Sequence, residues 1–230
     1  MAKAELKSLL ISMVFPAIFV FAIVLVKLVE ILFNISFVDY GIRPLELRGL
    51  LGIITSPLLH VDLQHLVANC VPLFILMTGL TYYYKDISYK VFIFIYLITG
   101  IMTWLMGREH SVHVGASGIV YALITFHLMS AILRRRKDLM AFSLIVIFLY
   151  GSFIWGFFPD FFPERNISWE SHLSGAICGV IVALVYKGEG PQRIIHEWDD
   201  EEDESEENIE DILTKKFLKQ INEKIVIFNK

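Results

Sequence analysis

The sequence predicts an all-α membrane protein, a bundle of six transmembrane helices with irregular outer loops and a cytoplasmic C-terminal tail. Three observations carry that expectation. Hydrophobic residues fill 56% of the 230 positions and charged residues 19%, and the mean hydropathy is +0.61, too apolar for a soluble domain of this length. Charges are sparse through long apolar runs and dense beyond Lys187, the pattern that a hydrocarbon layer imposes by excluding them. Finally, six apolar segments approach the roughly 20 residues needed to cross a bilayer.

The first span covers Leu9 to Val26. The opening MAKAELKSLL lacks the short apolar region and small-residue cleavage site of a removable signal, so this span is expected to be retained as a helix. Lys27 and Glu30, three apart at its outer end, can pair or snorkel. Phe33 to Leu59 then mixes Pro, Gly, Arg and aliphatic residues, and Met106 to Gly118 packs Gly, His and Ser directly before a span. Irregular backbone at membrane depth requires protein or a water-filled cavity to satisfy its polar groups, so both outer segments are expected to dip in and line a cavity.

The remaining spans are Leu66 to Tyr83, Tyr89 to Leu105, Ser117 to Leu133, Leu139 to Phe157 and His172 to Tyr186. The third, fourth and sixth are slightly short, which is tolerable where helix ends are buried in protein. Lys3, Lys7, Lys85, Lys90, the run Arg134 to Lys137, Lys187 and Arg193 collect on one side, so that side is read as the cytoplasm and holds both termini. The run Arg134 to Lys137 reads as a positive-inside stop. Cys70 and Cys178 lie inside apolar runs and read as small core residues rather than a disulfide framework.

This organisation divides the chain into a six-helix unit over 1–187, an acidic disordered linker over 188–207 and an amphipathic C-terminal helix over 208–230. The linker holds 10 of the 24 acidic residues against a single Arg, so the net charge of -4 is a property of the tail. In the last segment Ile209, Ile212, Leu213, Phe217, Leu218 and Ile221 recur at helical spacing, and docking onto the bundle is the simplest use of that face.

Polar residues inside spans are costly and mark candidate sites. Four groups stand out: His60 with His65 and Asn69; Gly115-Ala116-Ser117-Gly118; Tyr121; and His172 with Gly175 and Gly179. His65 and Asn69 share one helix face, as do Ser117 and Tyr121, while His172, Gly175 and Gly179 form one stripe. The topology brings all three faces to one depth near the outer surface. A serine hydroxyl becomes a nucleophile when an imidazole within reach accepts its proton, so Ser117 and His172 can act as a dyad in acyl transfer. Gly175 and Gly179, four apart, let two helix backbones approach and press the sixth span against the fourth. The Ser117 N–H, His65 and the Asn69 amide are available to bind an oxyanion. Gly115 and Gly118 permit a tight turn and close approach of a substrate. No carboxylate is evident to orient His172, which leaves Tyr121, stacked on its ring, as the candidate.

The segments HVDLQHLVAN, HVGASGIVYAL and SHLSGAICG resemble the three signatures of the rhomboid intramembrane proteases: His-x4-His-x3-Asn, Gly-x-Ser-Gly and His-x2-Gly-x3-Gly. The resemblance covers the second to the sixth span. It implies Ser117 as nucleophile, His172 as base, and His65 and Asn69 as oxyanion donors, with His60 structural and Tyr121 packed against His172. It also implies a substrate class, membrane proteins cleaved within or beside a transmembrane helix near the outer surface. The Trp-Arg pair common in the first outer loop of that family is absent, and Thr81 stands where many members carry glutamate.

Taken singly, Ser117 reads as a back-bonded packing serine and His172 as an interfacial histidine. Together the three patterned faces favour the dyad. Tyr121 is equally readable as an ordinary core aromatic. His110 and His113 could be imagined as metal ligands, but the pattern His-Glu-x-x-His is missing and no cysteine is near, so no metal and no cofactor is expected. A non-enzymatic membrane protein that binds transmembrane clients or passes a solute is the competing class. It is weakened by the expected lack of ionisable residues in the inner halves of the helices and of an inverted repeat. The expected partners are membrane-protein substrates and the lipid bilayer, not nucleic acid, and the expected location is a bacterial inner membrane. The oligomeric state is left open.

Overall fold

A computed structural model describes residues 2–158 and 168–193, with Thr214 and Phe217 besides. Met1–Gln192 form one compact unit. The acidic linker and the C-terminal helix expected over 208–230 lie outside the described residues, apart from the last few positions before 194 and those two.

Helix α1 (Ala2–Ser12) and α2 (Val14–Phe33) meet at Met13, and residues Lys3–Phe33 are long and apolar enough to cross a membrane as one rod. The rod is longer than the expected Leu9 to Val26 because its ends are polar yet helical. It stops where Asn34 enters the left-handed region at φ 52° and the Ile35 N–H reaches back to the Glu30 carbonyl. Lys27 and Glu30 do pair, at 3.0 Å, and they do more. The ammonium also donates to the His60 and Val61 carbonyls at 2.8 and 3.0 Å, while Glu30 accepts from the Phe37 N–H at 2.6 Å. An ion pair this buried holds only when its remaining hydrogen-bonding capacity is met, and here the backbone of two loops meets it.

The loop between α2 and the next long helix is irregular, as its composition predicts. It contains 3-10 turns at Val38–Tyr40, Leu47–Leu50 and Ser56–Leu58 and the single-turn helix α3 (Gly52–Thr55). Helix α4 (Leu63–Tyr83) starts under an Asp62 cap, whose carboxylate accepts from the His65 N–H at 2.7 Å. Helices α5 (Ser88–Met106) and α6 (Ser117–Arg134) follow. Helix α7 (Lys137–Tyr150) runs into a 3-10 segment at Gly151–Phe157, and α8 (Trp169–Val185) closes the bundle.

Four of these elements, Lys3–Phe33, α4, α5 and α6, are long and apolar enough to cross a membrane. The expected fifth span is not one helix: α7 has 14 residues and tightens at Gly151, where glycine weakens the α-helix. The sixth, α8, has 17 residues. Helix α6 is central, with 61% of its span buried against 17% for the first rod, and it packs along α8 and against α4, α5 and α7. Leu73, Leu76, Leu123, Phe126 and Ile95 fill the interior, whereas Phe148 (88% exposed), Phe21 and Ile132 point outward. Apolar side chains turned outward all round a bundle mark a protein solvated by lipid, so this is an integral membrane protein.

Two ionisable residues of α6 are buried inside the bundle. His127 is buried, its Nε2 3.0 Å from the Leu76 carbonyl, with its ring among Tyr84, Phe126 and Phe142. Arg134, in the run expected to act as a positive-inside stop, is itself buried at 3% exposed. Its Nη2 donates to the Tyr186 and Glu189 carbonyls at 2.7 and 2.6 Å, and its guanidinium lies 5.6 Å from the Tyr84 ring centre. A cation at a helix C-terminus satisfies orphan carbonyls and opposes the dipole. A run of four cations does not reveal which one faces inward. Thr81 donates to the Ser12 carbonyl at 2.6 Å and so joins α4 to the end of α1.

Candidate active site

Ser117 opens α6, and its Oγ lies 3.0 Å from Nε2 of His172, in the first turn of α8. Nδ1 of His172 is 2.9 Å from the Gly156 carbonyl. A carbonyl only accepts, so Nδ1 carries the proton and Nε2 presents a lone pair to the serine hydroxyl. Tyr121 stacks on the imidazole at 4.2 Å between ring centres and 12° between planes, and Phe157 meets Tyr121 edge-on at 5.0 Å. Two groups therefore hold the imidazole, a ring along its face and a backbone carbonyl at its edge. Gly156 has to be glycine, since a Cβ there would lie 2.1 Å from the Tyr121 hydroxyl and 2.8 Å from Nδ1.

His65 and Asn69 lie on the face of α4 toward the serine loop. The His65 ring sits against Gly115, where a Cβ would come within 2.6 Å of its Cε1, and Gly115 reaches that approach with φ +108°. The Gly115 N–H donates to the Ser56 carbonyl at 2.9 Å, so it anchors the loop and is not offered to a ligand. Asn69 is buried and donates one amide hydrogen to the His65 carbonyl at 2.8 Å, which leaves its second hydrogen. His60 is 1% exposed and meets His65 edge-on at 5.0 Å, while its carbonyl accepts from Lys27. Burial, with the neighbouring His65 second, pushes the His60 imidazole down to about 3 and keeps it neutral.

Glycines bring the two working helices together. A Cβ at Gly175 would lie 2.0 Å from the Gly118 carbonyl oxygen, and one at Gly179 2.0 Å from that of Ala122. Thr125 adds a hydrogen bond across the seam, to the Ala176 carbonyl at 2.9 Å. Gly118 faces Ser171 and Thr99, where an added Cβ would come within 2.6 and 2.9 Å of their side chains.

Several positioning residues escaped the sequence reading. Arg108 and Glu170 pair at 2.5 Å, and His113 bridges Ser111 (2.8 Å) and Ser168 (2.5 Å), which together bind the loop before α6 to the start of α8. Burial holds His113 below the usual imidazole range, opposed by the Glu170 charge. The His113 backbone also exchanges two hydrogen bonds of 2.9 Å with Ile42 of the loop between α2 and α4. Gly156 left one faint signal, an isolated glycine in the aromatic run Ile154-Trp155-Gly156-Phe157, where a missing side chain often marks a close approach.

A serine hydroxyl, an imidazole with its acceptor nitrogen turned to it, and nearby donors suit acyl transfer at a carbonyl. Comparison with known proteins points the same way. The rhomboid domain family matches residues 47–189, which contain every one of these groups. An uncharacterized protein of Mycobacterium tuberculosis is 35% identical over 177 residues, 73% of this chain and 72% of that one. One of Mycobacterium leprae is 34% identical over 169 residues, 70% and 66% of the two chains. A putative rhomboid protein of Acanthamoeba polyphaga mimivirus is 27% identical over 136 residues, 55% and 70% of the two. The chain belongs to the rhomboid family of intramembrane serine proteases.

Proposed function

We propose that this protein is an intramembrane endopeptidase that cuts transmembrane segments of membrane proteins near the outer surface, with Ser117 as nucleophile and His172 as base. The observation that carries the reading is the Ser117 to His172 contact of 3.0 Å combined with the Gly156 carbonyl on the far nitrogen. His172 accepts the Ser117 proton at Nε2 as Oγ attacks the scissile carbonyl. The oxyanion is met by the Ser117 N–H, which as the first of α6 has no partner within the helix, and by His65 and the second Asn69 hydrogen. His172 then returns the proton to the leaving amine, and the Ser117 ester is hydrolysed by a water that the same nitrogen activates. Gly115 supports the site by admitting His65.

The same reading takes six spans and places both termini in the cytoplasm of a bacterial inner membrane. It is supported by lengths: α7 with its 3-10 extension measures roughly 35 Å and α8 roughly 26 Å, against about 30 Å of hydrocarbon. The 188–207 linker and 208–230 helix form the cytoplasmic tail in this scheme. A fluorophosphonate probe should label the purified wild type and not Ser117→Ala or His172→Ala, and only wild type should cut a reporter with a transmembrane segment. Equal labelling of wild type and Ser117→Ala, or an intact reporter with every variant, overturns the assignment.

A further inference from the structure

At the end of the bundle opposite Ser117, a groove of about 480 Å³ opens between α1, the start of α2, the end of α4 and the start of α5. Lys7, Ser8 and Lys85 line it together with the apolar Ile11 and Phe15 and with Tyr89. We propose that this groove binds an anionic phospholipid of the adjacent leaflet, with the phosphate between Lys7 and Lys85 and the acyl chains along Ile11, Phe15 and Tyr89.

Depth supports the assignment. Lys27 is held at the level of the Ser117 end by the His60 and Val61 carbonyls, and Lys7 lies twenty residues before it on one rod. At 1.5 Å per residue that is about 30 Å, the thickness of the hydrocarbon layer. Lys85 stands about as far from the Asp62 cap along α4. Both ammonium groups therefore reach headgroup level together. Ile11 and Phe15 lie one and two helical turns deeper, at roughly 6 and 12 Å, where the first acyl carbons begin.

Charge supports it as well. Among the described residues no carboxylate lies within ion-pair distance of Lys7 or Lys85, whereas Lys27, Lys90, Arg43, Arg48, Arg108 and Arg136 each have one. The Lys85 ammonium donates to the Ser8 hydroxyl at 2.8 Å and lies 5.8 Å from the Tyr82 ring centre, a geometry that fixes it over the groove. Thr81 and Ser12 are occupied with backbone carbonyls, so the free polar capacity at the rim belongs to the two lysines and Ser8. A basic, partly apolar cleft between helices at headgroup level is matched by a phosphodiester carrying acyl chains.

The test uses the full-length protein in mild detergent, offered equal phosphatidylglycerol and phosphatidylcholine, with bound lipid read by native mass spectrometry. Wild type should retain phosphatidylglycerol preferentially. Lys7→Gln/Lys85→Gln should bind it about 30-fold more weakly, five- to sixfold for each lysine. The control Lys137→Gln/Lys187→Gln removes equal charge outside the groove and should keep wild-type binding. Phosphatidylglycerol should also raise the thermal midpoint of wild type and the control but not of the groove variant, which separates lost binding from misfolding. Absence of preference in wild type, or equal loss in the control, overturns the proposal. So does carbodiimide cross-linking of Lys7 or Lys85 to Asp199–Glu204, which would make the acidic segment of this chain the occupant.

Discussion

Replacing Gly156 by alanine isolates the group that holds the proposed base. The added methyl would lie 2.1 Å from the Tyr121 hydroxyl, 2.8 Å from His172 Nδ1 and 3.2 Å from its Cε1. Ordinary contact requires the tyrosine to retreat by roughly 1 Å or more, and the imidazole stacked on it at 4.2 Å must follow or lose the stack. Overpacking of this kind costs about 1–3 kcal/mol of stability. A displacement of about 1 Å at reacting atoms costs on the order of 100-fold in rate. Gly156→Ala should therefore slow fluorophosphonate labelling and reporter cleavage by about 100-fold while the protein remains folded. Tyr121→Phe removes the atom in closest conflict, so Gly156→Ala/Tyr121→Phe should recover about tenfold over Gly156→Ala. Labelling within twofold of wild type for Gly156→Ala, or no recovery in the double variant, refutes this account of how His172 is held.

Gly175→Val should separate α6 from α8, because even a Cβ meets the Gly118 carbonyl at 2.0 Å; labelling should be lost together with about 1–3 kcal/mol of stability in a detergent unfolding assay. Lys27→Met should cost about 3–5 kcal/mol by leaving the Glu30 carboxylate, 4% exposed, buried without its partner, and Lys27→Met/Glu30→Gln should recover part of the loss. Stability should also fall with acid. His60 has its folded pKa pushed down to about 3 by burial, below an unfolded value of about 6.5, so the unfolded chain binds the proton first. The contribution is complete above about pH 6.5 and declines toward pH 3 by about 1.4 kcal/mol per unit, with His113, also lowered by burial, acting in the same sense. Thermal midpoints at pH 7.5 and 5 measure this slope, and His60→Gln should flatten it.

Much of the candidate site was legible because helices repeat. His65 with Asn69 and Ser117 with Tyr121 are four apart, and any α-helix puts such pairs on one face. The membrane adds a second constraint, since spans of common length set residues at their starts to a common depth. Illegible were the contacts that a residue's identity does not advertise. The Gly156 carbonyl is one of many carbonyls, and it meets His172 from the 3-10 segment that follows α7. The Gly115 N–H likewise became an anchor through the distant Ser56 carbonyl.

The sequence by itself determined that this is a helical membrane protein and which polar side chains share helix faces, because apolar length and helical period are local properties, and its three motifs carried the resemblance to the rhomboid family. Only the tertiary structure decided that Arg134 turns inward to cap α8, that His127 is buried inside the bundle, and that a backbone carbonyl orients His172. Those outcomes depend on which unsatisfied donors and acceptors meet when helices pack, and pairing across fifty residues or across a helix end leaves no periodic trace in the chain.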